Sequence, residues 1–222
     1  MLERTEVESS IEHSAPQITK TEDNTMMARC IELSRMGASK GEYPFGAVIV
    51  LDGRIVAEGT NQTLQDEDLS RHAEIVALAQ ARKKLTRKEL RRTTLYSNVE
   101  PCPMCAFCIR ETQIGRVVIA LKSPVMGGLS KWNILRDETI SDRIPQIFGS
   151  VPEVVTGVLA PEAGRIWHDW SPLAWEAIKF QGLLVESTNS GSQICKLPTR
   201  KPNFWNYLRH LFFRGRATRG AR

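Results

Sequence analysis

The chain lacks the features that would place it outside ordinary globular proteins. None of its 222 residues belongs to an apolar run approaching the ~20 residues of a membrane-spanning helix. Residues 1–24 are acidic and polar, whereas a secretory signal needs a basic stretch followed by an apolar one. With 41% hydrophobic and 25% charged residues, the chain resembles neither a disordered protein nor a small disulfide-stabilised domain. We therefore expect a cytoplasmic protein with a hydrophobic core and no transmembrane segment.

Acidic residues are missing from the C-terminal part of the chain. Residues 187–222 contain eight Lys or Arg and no Asp or Glu, whereas residues 1–24 carry a net charge of −4. The net charge of +5 is thus a property of the tail and does not by itself indicate a nucleic-acid partner. We predict a flexible acidic arm (1–24), a central domain (25–186) and a basic tail (187–222). For the tail, the sequence leaves open a short amphipathic helix or disorder.

Hydrophobic periodicity predicts an α/β architecture for the central domain. A helix is predicted from Thr25 to near Gly37, followed by two strands joined at Asp52-Gly53, which is a typical hairpin turn. Further strands and helices then alternate, and this order indicates a mixed sheet. These strands are predicted at 94–97, 117–121 and 154–159, and these helices at 73–85, from about 103 and from about 161.

Two short motifs, His72-Ala73-Glu74 and Pro101-Cys102-Pro103-Met104-Cys105, contain the residues suited to chemistry. Cys102 and Cys105 lie three residues apart on a predicted helix, so their sulfurs point towards one place. Two thiolates and the imidazole of His72 supply three zinc ligands and leave a fourth position for water, which is typical of catalytic zinc. His72 and Glu74 can serve the same site only if it lies off the N-terminus of their helix. We therefore expect two helix N-termini to face one metal.

The cysteines also allow two simpler interpretations. Cys102 and Cys105 could be buried core thiols, although the flanking prolines and the upstream His72 disfavour this. A structural zinc site could include Cys108, which extends the motif to C-x-x-C-x-x-C. Such a site would need a fourth ligand, and Cys108 lies roughly two-thirds of a turn around the helix from Cys102. We assign Cys108 to the core.

The combination of H-x-E with P-C-x-x-C is the signature of zinc-dependent base deaminases. Residues from about Glu42 to Ala163 resemble the cytidine deaminase superfamily, and within it the branch of bacterial guanine deaminases, cytosine deaminases and tRNA adenosine deaminases. The other stretches that carry the resemblance are Pro44-Phe45-Gly46-Ala47-Val48-Ile49-Val50, Glu58-Gly59-Thr60-Asn61 and Ile114-Gly115-Arg116-Val117-Val118.

The resemblance implies a three-layer α-β-α fold with a central mixed sheet of about five strands, and a homodimer. It also implies one zinc ion per chain, bound by His72, Cys102 and Cys105. Zinc-bound hydroxide would attack the ring carbon bearing the amino group, Glu74 would shuttle the protons, and ammonia would leave. Asn61 matches the residue that contacts the base in relatives, although from the residues alone it could be a turn residue. Ala73 is a second candidate for substrate binding.

Three functions remain open at this point. The first is a hydrolytic deaminase of a free nucleobase or nucleoside, with Pro103 and the sequence of the hairpin favouring the guanine deaminase side. The second is a tRNA wobble-adenosine deaminase, in which the basic tail and a basic cluster would hold the anticodon stem-loop. The third is an inactive zinc-containing RNA-binding protein, which Glu74 disfavours because a structural site does not need it. The basic cluster consists of Arg82, Lys83, Lys84, Arg87, Lys88, Arg91 and Arg92.

Overall fold

The computed structural model describes residues 19–186, in which a six-stranded sheet lies between two layers of helices. The strands are β1 (Gly46–Leu51), β2 (Arg54–Thr60), β3 (Thr94–Val99), β4 (Arg116–Lys122), β5 (Glu153–Thr156) and β6 (Val185–Glu186). The helices are α1 (Lys20–Ser39), α2 (Ala73–Lys84), α3 (Arg87–Leu90), α4 (Pro103–Thr112), α5 (Glu138–Arg143), α6 (Pro145–Phe148), α7 (Ala160–Trp170) and α8 (Pro172–Phe180), with a 3-10 turn at Ile134–Arg136. The predicted three-layer fold with a mixed sheet is confirmed. The basic tail and most of the acidic arm lie outside the described residues.

Strand order brings the C-terminal ends of four strands to one edge of the sheet. The order is β2-β1-β3-β4-β5, and β6 pairs with the last two residues of β4. β2 and β3 are each antiparallel to β1, so they run in the same direction, and β4 and β5 are parallel to β3. The C-terminal ends of β2, β3, β4 and β5 therefore meet at one edge, which we call the carboxyl edge.

Helices cover both faces of the sheet, and the central strands are apolar on both sides as a consequence. In β1, Val48 and Val50 belong to the core beneath α1, α7 and α8, while Ala47 and Ile49 belong to the core beneath α2 and α4. All four side chains are buried. Within residues 19–186, no helix combines the length and the apolar character needed to cross a membrane.

Helix α1 begins at Lys20, so the last residues of the predicted flexible arm are helical and the expected start at Thr25 is wrong. Asp23, which the sequence analysis placed in that arm, is buried. Its carboxylate accepts hydrogen bonds from two nitrogens of Arg116, at 2.7 and 2.8 Å, and from the hydroxyl of Tyr96, at 2.9 Å. Burial and the neighbouring carboxylate raise the pKa of Tyr96. A buried ion pair therefore fastens α1 to β3 and β4, and local sequence could not reveal it because the partners lie 73 and 93 residues away.

We predict that Asp23→Ala lowers the free energy of unfolding by about 3 kcal/mol, because it leaves the guanidinium of Arg116 buried without its main partner. The Arg116 side chain is only 13% exposed, and Glu153, which it also contacts, is itself exposed. Urea denaturation followed by circular dichroism would measure the change. Arg92→Ala is the control, since it breaks an exposed pair with Asp52 and should cost less than about 1 kcal/mol. Equal losses in the two variants would contradict the prediction.

Candidate active site

Two helices begin at the carboxyl edge, each following a strand that ends there. α2 follows β2 after the loop of residues 61–72, and His72 is its N-cap. α4 follows β3 almost directly, and Cys102 is its N-cap, with Pro103 in the first turn where proline suits a helix start. Neither side chain makes a capping hydrogen bond at the start of its helix. The prediction that two helix N-termini face one site is confirmed.

The position of α2 depends on Gly59 in β2. A Cβ atom at this position would overlap the carbonyl oxygen of Ala73 and lie 3.0 Å from the backbone nitrogen of Ala77. A larger residue would therefore push the first turn of α2 away from the sheet, because packed interiors have no room to absorb the displacement. Since His72 immediately precedes that turn, the close contact at Gly59 fixes where the imidazole lies.

His72, Cys102 and Cys105 bring three ligand atoms together. The Nδ1 atom of His72 lies 3.5 Å from each of the two sulfurs, and all three atoms are within 4.8 Å of one another. Around a tetrahedral zinc with ordinary bond lengths, sulfur and nitrogen ligands would be about 3.6 Å apart. The group therefore fits a zinc ion in both chemistry and spacing, and it is the one such group found within residues 19–186.

The hydrogen bonds in this group concentrate negative charge on one sulfur. Cys105 and His72 both interact with the sulfur of Cys102 and lower the pKa of that thiol to about 4. Cys102 in turn raises the pKa of Cys105 and, by hydrogen bonding, that of His72. A divalent cation between the ligands would also favour the thiolate at Cys105, because a metal stabilises the deprotonated form of each sulfur it binds.

Glu74 lies in the first turn of α2 and is 6% exposed. Burial raises the pKa of its carboxyl group to about 7, and the charge on Cys102 acts in the same direction. A carboxyl group with such a pKa can release and take up a proton near neutral pH, as general acid–base catalysis requires. The environment of Glu74 therefore suits the proton-transfer role predicted from the sequence.

Asn61 and Ala73, the two candidate substrate-binding residues, differ in which of their atoms could contact a substrate. Asn61 directly follows β2 at the carboxyl edge, and the next residue, Gln62, donates its backbone N–H to the carbonyl of Arg71, 3.0 Å away, beside His72. Asn61 is thus held close to the ligand group. The side chain of Ala73 is fully buried in the core beneath α2. Only the backbone N–H of Ala73, which has no partner within the helix, could contact a substrate.

Glu100 is a site residue whose role the sequence analysis missed. It follows β3, is 4% exposed, and accepts backbone hydrogen bonds from Ser123, Leu129 and Ser130 at 2.6–3.0 Å, together with the Ser130 hydroxyl at 2.6 Å. These bonds hold the loop after β4 against the start of α4. Only its position next to Pro101-Cys102 marked it in the sequence, because its partners lie 23–30 residues further along the chain.

The basic cluster does not lie beside the ligand group. Its first member, Arg82, lies in the last turn of α2, ten residues beyond the N-cap His72, so the helix separates the two by about 15 Å. Several members also bind other residues of the fold: Arg92 pairs with Asp52, and Arg91 donates to the side chain of Gln113.

Cys108 is half-buried, packs against the core beneath α2 and α4, and is not part of the ligand group.

Comparisons with known proteins agree with this geometry. A sequence profile described as the cytidine and deoxycytidylate deaminase zinc-binding region matches residues 20–121. A tRNA-specific adenosine deaminase of Bacillus subtilis is 35% identical over 146 residues, which are 65% of this chain and 85% of that enzyme. This chain belongs to the cytidine deaminase superfamily. The predicted family is therefore confirmed, and the homologues agree with the predicted class of enzyme, a zinc-dependent aminohydrolase.

Two further relatives show how far the similarity extends. A solved structure from a study of A-to-I editing by tRNA:A34 deaminases has a TM-score of 0.57 and 30% sequence identity, over 64% of this chain and 98% of that one. A tRNA(Ile)-lysidine synthase of Deinococcus deserti is 35% identical over 147 residues, which are 66% of this chain. Those residues are 26% of the synthase, so the match spans only about a quarter of that relative's length.

We predict that replacing any one of the three predicted zinc ligands removes most of the bound zinc. His72→Ala, Cys102→Ser and Cys105→Ser each leave two ligands, which are too few for a stable site. Metal content measured by atomic emission after purification should be near one zinc per wild-type chain and well below this in the variants. Cys108→Ser is the matched control and should keep its zinc. Loss of zinc in Cys108→Ser, with zinc retained in His72→Ala, would instead indicate a structural site.

We also predict that Gly127→Ala destabilises the protein by about 2 kcal/mol, because the added Cβ would overlap the Oε1 atom of Glu100. For a domain of this size, the loss corresponds to a fall of about 6 °C in the melting temperature. Calorimetry would measure the shift. Gly37→Ala is the control: its Cβ would meet nothing closer than 3.4 Å, and alanine suits the interior of α1 better than glycine. A similar fall in both variants would argue against the tight contact at Glu100.

Proposed function

We propose that this chain is a zinc-dependent deaminase that converts the wobble adenosine of a tRNA to inosine. The observation that carries the reaction type is the buried Glu74 at the start of α2, with His72, Cys102 and Cys105 converging beside it at two helix N-termini. His72, Cys102 and Cys105 would bind the zinc ion. Zinc, when bound there, would supply a water molecule whose pKa is lowered to about 7.

Glu74 then carries out the proton transfers that hydrolytic deamination needs. Its carboxylate accepts a proton from the attacking water and delivers it to the ring nitrogen next to the attacked carbon. A second transfer through Glu74 protonates the exocyclic amino group, which leaves as ammonia while the carbon–oxygen double bond forms. Because burial keeps the pKa of Glu74 at about 7, both its acid and its base form are accessible at neutral pH.

The choice of tRNA as substrate rests on the relatives. The chain matches 85% of the length of a protein named tRNA-specific adenosine deaminase and 98% of a solved chain from a study of tRNA:A34 deaminases. These names favour the second of the three functions over the free-base activity preferred from the sequence. The composition of residues 187–222 suits the same choice, because their eight Lys and Arg side chains are of the kind that contacts phosphates.

One feature favours a free nucleobase or nucleoside as a second candidate. The loop that leads to His72 contains Asp66, Glu67 and Asp68, while the basic cluster lies at the far end of α2. Arg71 pairs with Asp66, but the loop keeps a net charge of −2 next to His72, which would repel the phosphates of an approaching RNA. A small neutral substrate would avoid this repulsion. The homodimer implied by the resemblance stays a prediction.

We predict that the zinc-loaded full chain converts adenosine to inosine in an anticodon stem-loop and releases little ammonia from free guanine, adenine, cytosine or their nucleosides. Raising the salt concentration should increase the KM for the stem-loop steeply, because RNA binding releases counterions, whereas turnover of a free base would barely change. Chromatography of digested RNA would quantify inosine, and an ammonia assay would cover the free bases. Turnover of a free base alone would support the second candidate. Binding of the stem-loop without turnover of any substrate would support an inactive RNA-binding protein.

We predict that Glu74→Gln lowers kcat by about 10³-fold or more, because glutamine cannot accept and return a proton. Zinc content should stay at the wild-type value, since Glu74 is not a ligand. Glu89→Gln, which alters an exposed capping residue of α3, should leave both measurements unchanged. A normal rate of product formation in Glu74→Gln would exclude Glu74 as the proton carrier.

A further inference from the structure

A second buried carboxyl group, that of Glu42, lies at the carboxyl edge and has no role in the chemistry described above. Glu42 precedes β1 and is 2% exposed. Its Oε1 atom accepts the backbone N–H groups of Leu64 and Gln65 at 3.0 and 2.7 Å, and its Oε2 atom accepts a hydrogen bond from Nδ2 of Asn61 at 2.9 Å. Glu42 thus joins the loop before His72 to the side chain of a candidate substrate-binding residue.

These contacts fix the orientation of the Asn61 amide. Its Nδ2 atom also donates to the hydroxyl of Thr63, at 2.7 Å, so both amide hydrogens are used. Because a carboxylate can only accept, the amide cannot turn over without placing its oxygen against the oxygen of Glu42. The Oδ1 atom is then the only polar side-chain atom of Asn61 left for a substrate, since it accepts no hydrogen bond within residues 19–186.

We propose that Glu42 is a positioning residue that makes Asn61 present a hydrogen-bond acceptor to the substrate, so that the pocket selects a nucleoside with a donor group at that position. This inference rests on the proposed function, because it assumes that Asn61 contacts the substrate. A site built to accept a hydrogen bond discriminates strongly against a ligand that lacks the donor, since its own buried acceptor would then be unpaired.

The effect of Glu42→Gln follows from the same contacts. The backbone N–H groups of Leu64 and Gln65 cannot turn away, so the glutamine would keep its oxygen towards them and place its amino group against Asn61. Asn61 would have to rotate its amide to offer oxygen to that amino group, which turns Nδ2 towards the substrate. The pocket would then present a donor where the wild-type pocket presents an acceptor.

The test compares Glu42→Gln, Asn61→Ala and the double variant in the zinc-loaded full chain, with the anticodon stem-loop as substrate. We expect each single variant to raise the KM about tenfold with little change in kcat, because each loses about one hydrogen bond to the substrate. The double variant should be no worse than Asn61→Ala, because Glu42 acts through Asn61. Glu58→Gln is the matched control: Glu58 is a half-buried carboxylate of β2 that pairs with Arg29, and its loss should leave the KM unchanged.

Thr63→Val keeps the inference testable if Glu42→Gln folds poorly. It removes only the second partner of the Asn61 amide, so it should raise the KM in the same direction, by less than tenfold, without changing zinc content or melting temperature. Additive effects in the double variant, or an unchanged KM in both Thr63→Val and Glu42→Gln, would overturn the proposal.

Nuclear magnetic resonance supplies a readout that does not need activity. The side-chain amide signals of Asn61, assigned by their loss in Asn61→Ala, should exchange with water about tenfold more slowly in the wild type than in Thr63→Val. Equal exchange rates would overturn the proposal even if the enzyme were active. If the wild type deaminated no substrate, the proposed function would fail, and the exchange rates would still decide whether the Asn61 amide is held as described.

Discussion

The crowding of two thiols and a carboxyl group around one imidazole is the constraint on which the rest of the structure depends. Cys102, Cys105 and Glu74 all lose a proton to do their work, and three negative charges this close repel one another. The fold offsets the repulsion with the positive ends of α2 and α4 and with the space for a divalent cation. This arrangement requires two helices to begin at the same edge of the sheet, and the strand order β2-β1-β3-β4 provides it.

Three buried glutamates at the carboxyl edge do different work because their surroundings differ. The oxygens of Glu42 and Glu100 are occupied by backbone N–H groups of two loops, so these side chains hold the loops in place. Burial instead raises the pKa of Glu74 into the neutral range, which leaves this carboxyl group able to exchange a proton.

Much of the fold and of the ligand group could be predicted from the sequence because both leave local patterns. Each of these patterns is defined by a few neighbouring residues: the Asp52-Gly53 hairpin, the apolar strands, and the H-x-E and C-x-x-C motifs. The partners of Asp23, Glu42 and Glu100 were not predictable, since they lie between 19 and 93 residues away and meet only after the sheet forms. The basic cluster shows the same limit: its charge was evident, but its place at the far end of α2 was not.

The difference between local motifs and contacts distant in sequence also explains why the sequence indicates the reaction more readily than the substrate. The predicted zinc ligands and Glu74 lie at the starts of α2 and α4, where the rigid sheet and Gly59 determine their positions. The residues expected to meet the substrate lie on the loops after β2 and β4, and Glu42 and Glu100 hold these loops through contacts distant in sequence. A change in either loop could alter which nucleoside fits while His72, Cys102, Cys105 and Glu74 stay in place. Under the proposed function, substrate choice would therefore depend on the two buried carboxylates and the loops they hold.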